Sequence, residues 1–279
     1  MTPELLTTPK IDCHCHLFDP ERFTYQDGVG YRPAGGEIAT ADYFSAVMQA
    51  NGVAHALLVG PNSGYGTDNR CMLDAIHHGG GRFKGIAVLD AKTSRAELQD
   101  LQAQGIVGAA FNVALLGADA YANADPLFDR LAELELFVQV QVKDDEMVTL
   151  APRLRGCGAK LLVDHHGRPA VAAGLRAPGF QALLGLADTG RCHVKLSGYD
   201  KFSRQAFPFA DTAPFTQALL AAFGPSHCLW ASDWPHVRAV RRLDHGPLLD
   251  LFARSVPDAA ARRAILWDTP RRLFGFGAG

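Results

Sequence analysis

The chain has 279 residues, of which 48% are hydrophobic and 20% charged, and its formal net charge is −2. That mix belongs to a soluble globular protein with a full-sized core. With the basic residues scattered, it excludes an electrostatic affinity for nucleic acid or an anionic membrane, and no apolar run reaches the roughly 20 residues that cross a bilayer.

The first recognisable element is Ile11-Asp12-Cys13-His14-Cys15-His16-Leu17-Phe18, which reads as a strand. Side chains alternate along a strand, so Asp12, His14 and His16 are expected on one face, lining an interior, with Ile11, Cys13, Cys15 and Leu17 on the other. Two neutral imidazoles side by side hold a metal or polarise a carbonyl; two histidines satisfied inside a core strand are the plainer reading. Asp19 to Thr40 is polar, carries Gly and Pro, and is too long for a routine connection, which makes it a candidate functional loop.

From there the pattern alternates. Helices are expected over 40–50, 68–78, 94–104, 125–135, 145–154, 180–187 and 212–223, each between strands at 55–60, 83–89, 107–113, 137–142, 160–165, 192–197 and 228–232, and helices near 248–255 and 257–266 close the chain. Eight strands alternating with amphipathic helices predict one (β/α)8 TIM barrel, residues 1–279, with no second domain. No G-x-G-x-x-G follows an early strand, which argues against an open dinucleotide-binding sheet. The amino-terminal Met1 to Lys10 lacks a signal peptide's apolar core, and six cysteines without C-x-x-C spacing read as reduced thiols, so a cytoplasmic location is expected.

In a barrel the chemistry sits at the carboxyl ends of the strands. Those ends carry His14 and His16, Asn112, Gln139 with Gln141, Asp164-His165-His166-Gly167-Arg168-Pro169, Ser197, and Ser232-Asp233-Trp234-Pro235-His236. Parity allows His165 or its neighbours to face inward but not all three, and His165 is favoured. His193 lies at the wrong end of its strand. His55, His77, His78, His227 and His245 suit packing or surface roles; His236 is read either as shaping a loop or as orienting Asp233. Lys195 is expected to pair with Asp12, a Schiff-base role being the rival.

These motifs, together with Gly66-Thr67-Asp68-Asn69, Phe111-Asn112 and Val194-Lys195-Leu196-Ser197-Gly198, resemble the amidohydrolase-2 family of the amidohydrolase superfamily, within it the barrel hydrolases of the 2-pyrone-4,6-dicarboxylate lactonase type. The resemblance implies a catalytic cluster of His14, His16, His165 and Asp233, with Asp233 the base that activates water to open a small carboxylated lactone. The same four residues would be the ligands if a single divalent ion, zinc or manganese, is bound, and the branch also includes enzymes that need none. Two-metal members place a bridging lysine or glutamate on the fifth strand, where this chain has Gln139 and Gln141. Arginines expected around the fourth strand are replaced by Val107-Gly108-Ala109-Ala110-Phe111, which argues against a dicarboxylate. Tyr31, Ser63, Asn112, Arg168 and Arg204 are the expected substrate-binding residues, with Arg238 a weaker candidate. Competing readings are a metal-dependent decarboxylase of an unsaturated acid, a lactone isomerase and a non-catalytic binding barrel. The partner is a small lactone or carboxylic acid, and a homo-oligomer is compatible with the outer helices.

Overall fold

The computed structural model describes residues 3–241 and 243–277. Its strands are β1 (Lys10–Cys15), β2 (Val53–Val59), β3 (Phe83–Ala87), β4 (Ile106–Asn112), β5 (Phe137–Gln141), β6 (Lys160–Val163), β7 (Cys192–Leu196) and β8 (Cys228–Trp230), paired in parallel in sequence order. Cys15 bridges to Trp234, and His16 N–H donates to the Trp234 carbonyl at 2.8 Å. The seam between first and last strands is therefore closed just past β8. Eight parallel strands in a nearly closed barrel make this the expected (β/α)8 fold of the amidohydrolase type.

Helices α1 (Ala41–Asn51), α2 (Arg70–His78), α3 (Arg95–Ala103), α4 (Asp125–Glu133), α5 (Glu146–Gly156), α6 (Pro178–Gly185), α7 (Ala213–Phe223) and α8 (His245–Ser255) surround it. Local chemistry starts several of them. Thr40 accepts from the Tyr43 amide, and Ser94 with Glu97 forms a capping box at the head of α3, satisfying amides that lack intrahelical partners. Gly52, just past the end of α1, adopts the left-handed conformation of a helix C-cap. The expected helix near 257–266 becomes Ala259–Arg263, a π turn at 264–268 and a further helix, Thr269–Phe274.

Interior residues decide which mouth is open. Ile11, Cys13, Leu57, Ile86, Phe137, Leu162 and Leu229 cluster inside with Trp267, Phe274 and Phe276 from the carboxyl-terminal segment. Aromatic rings thus plug the amino end of the barrel, leaving the carboxyl end for a ligand.

The first strand departs from simple alternation. Asp12 pairs opposite Ala56 and Cys15 opposite Leu58, so three residues of β1 span two of β2. That extra residue is a β-bulge. It lets Cys13 join the interior cluster while the next residue, His14, also faces inward, and it turns Asp12 out of the interior. The expectation that Asp12, His14 and His16 share one face, with Ile11 and Cys13 outside, is corrected accordingly.

Candidate active site

His14, His16, His165 and Asp233 meet at the floor of a cavity of about 350 Å³. Their closest nitrogens, the three Nε2 atoms, lie 3.8, 3.6 and 3.7 Å from Asp233 Oδ1, and those of His14 and His16 are 3.3 Å apart. Each ring is held from behind: His14 Nδ1 by Asp164 Oδ1 at 3.1 Å, His16 Nδ1 by the Val59 carbonyl at 2.8 Å, and His165 Nδ1 by Ser197 Oγ at 3.0 Å. A carbonyl and a carboxylate only accept, and Lys195 Nζ, 3.3 Å from His14 Nδ1, is farther from it than Asp164 Oδ1 and already serves Gln139 and Asp164, so Nδ1 of His16 and of His14 carries the proton. Their Nε2 lone pairs then face each other and Asp233.

Backbone strain aims these groups. His165, His166 and Arg168 have φ of 53°, 57° and 43°; this left-handed turn breaks strand parity, so Asp164 and His165 both reach the site. His165 faces inward and not all three residues do, as expected, but Asp164 joins His165 where parity would set the two on opposite sides. His166 turns away, bonded to the Ser197 carbonyl and Thr216 Oγ1 at 3.0 Å each. Gly198 has φ +60°, and a Cβ there would lie 2.6 Å from the His165 ring, so glycine alone leaves room for that imidazole. Asp233 is also left-handed, φ 62°, and its amide donates to the His14 carbonyl at 2.9 Å.

Asp12 is the staple behind this turn. Its carboxylate accepts from the Ser232 amide at 2.9 Å, the Ser232 hydroxyl at 2.5 Å and the His14 amide at 3.2 Å, with His245 Nε2 at 3.3 Å. Ser232 Oγ in turn accepts from the Trp234 amide. Lys195 therefore does not pair with Asp12. Fully buried, it reaches Gln139 Oε1 at 2.6 Å and Asp164 Oδ1 at 3.0 Å, while Gln139 Nε2 donates to Asp164 Oδ2 at 2.9 Å. Such a closed, satisfied network fixes the ring of His14. His236 does not bond the carboxylate: it touches Asp233 through its backbone amide, and both ring nitrogens lack a partner among the described residues.

Lys201 was not singled out from the sequence. Its Nζ lies 3.4 Å from Asp233 Oδ2 and donates to the Val237 carbonyl at 2.9 Å. Burial alone would raise the Asp233 carboxyl, but Lys201 and the histidines outweigh it and hold it well below the usual carboxylate range. Asp164 is likewise pulled down by Lys195 and His14 against the effect of burial. Burial lowers His165 to about 3, against a smaller upward pull from Asp233. Burial likewise lowers His14, so at neutral pH the floor has an ionised carboxylate facing the neutral imidazoles of His14 and His165.

Of the expected binding residues, Ser63, Asn112 and Arg168 line this cavity. Arg204 lines a neighbouring pocket with Lys143 instead. Tyr31 is not on the wall; its hydroxyl donates to Glu37 and its ring lies under the Arg238 guanidinium, which is on the wall. Residues 19–40 contribute nothing to the lining, and Phe202 and Phe209 pack inward against His166 and Leu248.

Two overlapping groups, His14–His16–Asp233 and His14–Asp164–His165, have metal-ligand chemistry. The first fits one divalent cation: its acceptors converge without a proton between them, and separations of 3.3–3.8 Å are close to the edges of roughly 3.3–3.6 Å of a tetrahedral site with bonds of about 2.0–2.2 Å. In the second, His14 and Asp164 already face the Lys195 ammonium, at 3.3 and 3.0 Å.

A model of the family described as amidohydrolase matches residues 11–276. The chain belongs to the amidohydrolase family. This amidohydrolase is 33% identical over 272 residues to 4-sulfomuconolactone hydrolase of Rhizobium radiobacter, covering 95% of this chain and 89% of that one. It is 28% identical over 268 residues to D-galactarolactone isomerase of Agrobacterium fabrum, covering 95% and 90%. Among solved structures it superimposes with a TM-score of 0.86 on a probable 2-pyrone-4,6-dicarboxylic acid hydrolase from Acinetobacter baumannii with citric acid bound, at 29% identity, covering 96% of this amidohydrolase and 99% of that chain.

Proposed function

We propose that this amidohydrolase opens a small carboxylated lactone by hydrolysis, with Asp233 as general base. The convergence of His14, His16 and His165 on the ionised Asp233 at the floor of the cavity carries this reading. Asp233 takes a proton from water as the water oxygen bonds to the lactone carbonyl carbon. The carbon–ring oxygen bond then breaks, the proton passes from Asp233 to the departing ring oxygen, and the product is a hydroxy acid whose new carboxyl group ionises, releasing the water's second proton to solvent. Lys201 stands beside Asp233 and offers an ammonium to the oxygen on which charge develops.

A divalent ion, when bound, would be held by His14, His16 and Asp233 with His165 adjacent, and would supply Lewis-acid polarisation of the carbonyl and a more acidic water. Asp164 and Lys195 keep His14 turned toward that position. Arg168 gives the substrate carboxylate its counter-charge.

The test is acid release, followed by pH indicator, from a panel of sugar-acid, muconate-derived and pyrone lactones, with products identified by NMR. Ring opening with uptake of one water supports the reading. A lactone returned as a rearranged lactone, without acid release, contradicts it and makes the enzyme an isomerase; no turnover of any lactone removes the reading.

A further inference from the structure

The cavity is charged on one wall only. Its described cations, Arg168, Lys201 and Arg238, all come from segments that follow β6, β7 and β8. Across from them, the segment after β2 and the ends of β4 and β5 present Asn62, Ser63, Asn112 and Gln141, with no lysine or arginine among the described lining residues there.

Both walls have bonding capacity to spare. Arg168 is half-buried, its Nε is buried without a partner, and no contact ion pair to its guanidinium exists among the described residues, the carboxylates of Asp233, Asp144, Glu146 and Asp200 acting on it only from a distance. A guanidinium on the cavity wall with an unfilled donor is placed to receive an anion. On the other wall the side chains of Asn62, Ser63 and Gln141 make no hydrogen bond within the described structure, and Asn112, whose Oδ1 accepts from the Leu115 amide at 3.1 Å, retains its Nδ2 donors. Amides and hydroxyls donate and accept at once, which matches hydroxyl groups; they cannot neutralise a second carboxylate.

We infer that the substrate is a polyhydroxylated lactone bearing a single anionic group, of the kind formed by internal esterification of a hydroxylated diacid. Its carboxylate lies against Arg168, and its hydroxyls lie against Asn62, Ser63 and Gln141. The cavity's 350 Å³ suits so small a molecule. This rests on the lactone-hydrolase reading and narrows it.

Three lactones test it, each assayed for kcat/KM by acid release: a hydroxylated monolactone with one free carboxylate, an unsaturated lactone dicarboxylate without hydroxyls, and a hydroxylated lactone with no carboxylate. The first is expected to exceed each of the others by about 100-fold or more. Arg168→Gln should erase most of the advantage over the uncharged lactone, chiefly through KM. Gln141→Leu and Ser63→Ala should each lower kcat/KM for the hydroxylated monolactone about 10-fold and leave the unhydroxylated dicarboxylate unaffected. Equal or better turnover of the dicarboxylate overturns the inference and leaves lactone hydrolysis standing, as does an unchanged preference in both Gln141→Leu and Ser63→Ala. Failure to open any lactone removes the reaction itself and this inference with it.

Discussion

Strands β4 and β5 pair without a break from Gly108–Phe137 to Asn112–Gln141 and deliver Asn112 and Gln141 to the pocket by simple alternation. β1, β6 and the segment after β8 each break their pattern first. A bulge turns His14, a left-handed turn presents Asp164 and His165, and a left-handed residue presents Asp233. Six of the nine non-glycine residues with positive φ among those described lie at 165–168 and 233–238, each costing of order 1–3 kcal/mol. The regular half supplies uncharged hydrogen-bonding groups, and the strained half supplies the Asp233 carboxylate, the imidazoles and the cations. Extra backbone deformation is concentrated where several charged groups must meet at one point.

The contrast is broken most severely at Lys195. Lys195→Met leaves Asp164 as a buried carboxylate without its ammonium, and is expected to cost about 3–5 kcal/mol of unfolding free energy by denaturant titration, with activity falling as His14 loses its anchor. Next is Gly198→Ala, whose Cβ displaces the His165 ring. It should reduce kcat/KM about 100-fold, while stability changes by no more than about 1–3 kcal/mol.

His193, at the amino end of β7 and buried far from the pocket, is held by burial at about 4, below the unfolded value of about 6.5. Both states are neutral above 6.5; as pH falls toward 4 only the unfolded chain takes up the proton, so stability is lost across that window. His193→Gln should therefore flatten the decline in Tm between pH 6.5 and 4, by the equivalent of roughly 2–3 kcal/mol. The smallest effect is expected on the regular half. Ser94→Ala removes the α3 cap, costs about 1 kcal/mol and leaves kcat/KM unchanged; a loss of activity there would show that the halves are coupled.

The same division decided what could be read from sequence. Alternation located all eight strands, and the rule that barrel chemistry sits at carboxyl ends brought out His14, His16, His165 and Asp233, which the fold does gather. Wherever φ turned positive or a residue was inserted, parity failed. The β1 bulge moved Asp12 from an interior partner of Lys195 to the outward staple for Ser232, and the turn at 165–168 admitted Asp164. Lys201 carried no periodic signal at all. It follows β7 in the short turn Tyr199–Lys201, and only the path of that turn puts its ammonium beside Asp233. Arg204, three residues on, has an equally basic side chain and lines only the neighbouring pocket, which Lys201 lines as well.

The most direct test of the account is the turnover of Asp233→Asn on a lactone that the wild-type enzyme opens, with circular dichroism and thermal unfolding measured on the same preparation. A native-like fold with kcat reduced about 10²–10⁴-fold is the predicted result. Near wild-type turnover in a folded Asp233→Asn protein would contradict the role of Asp233 as the base.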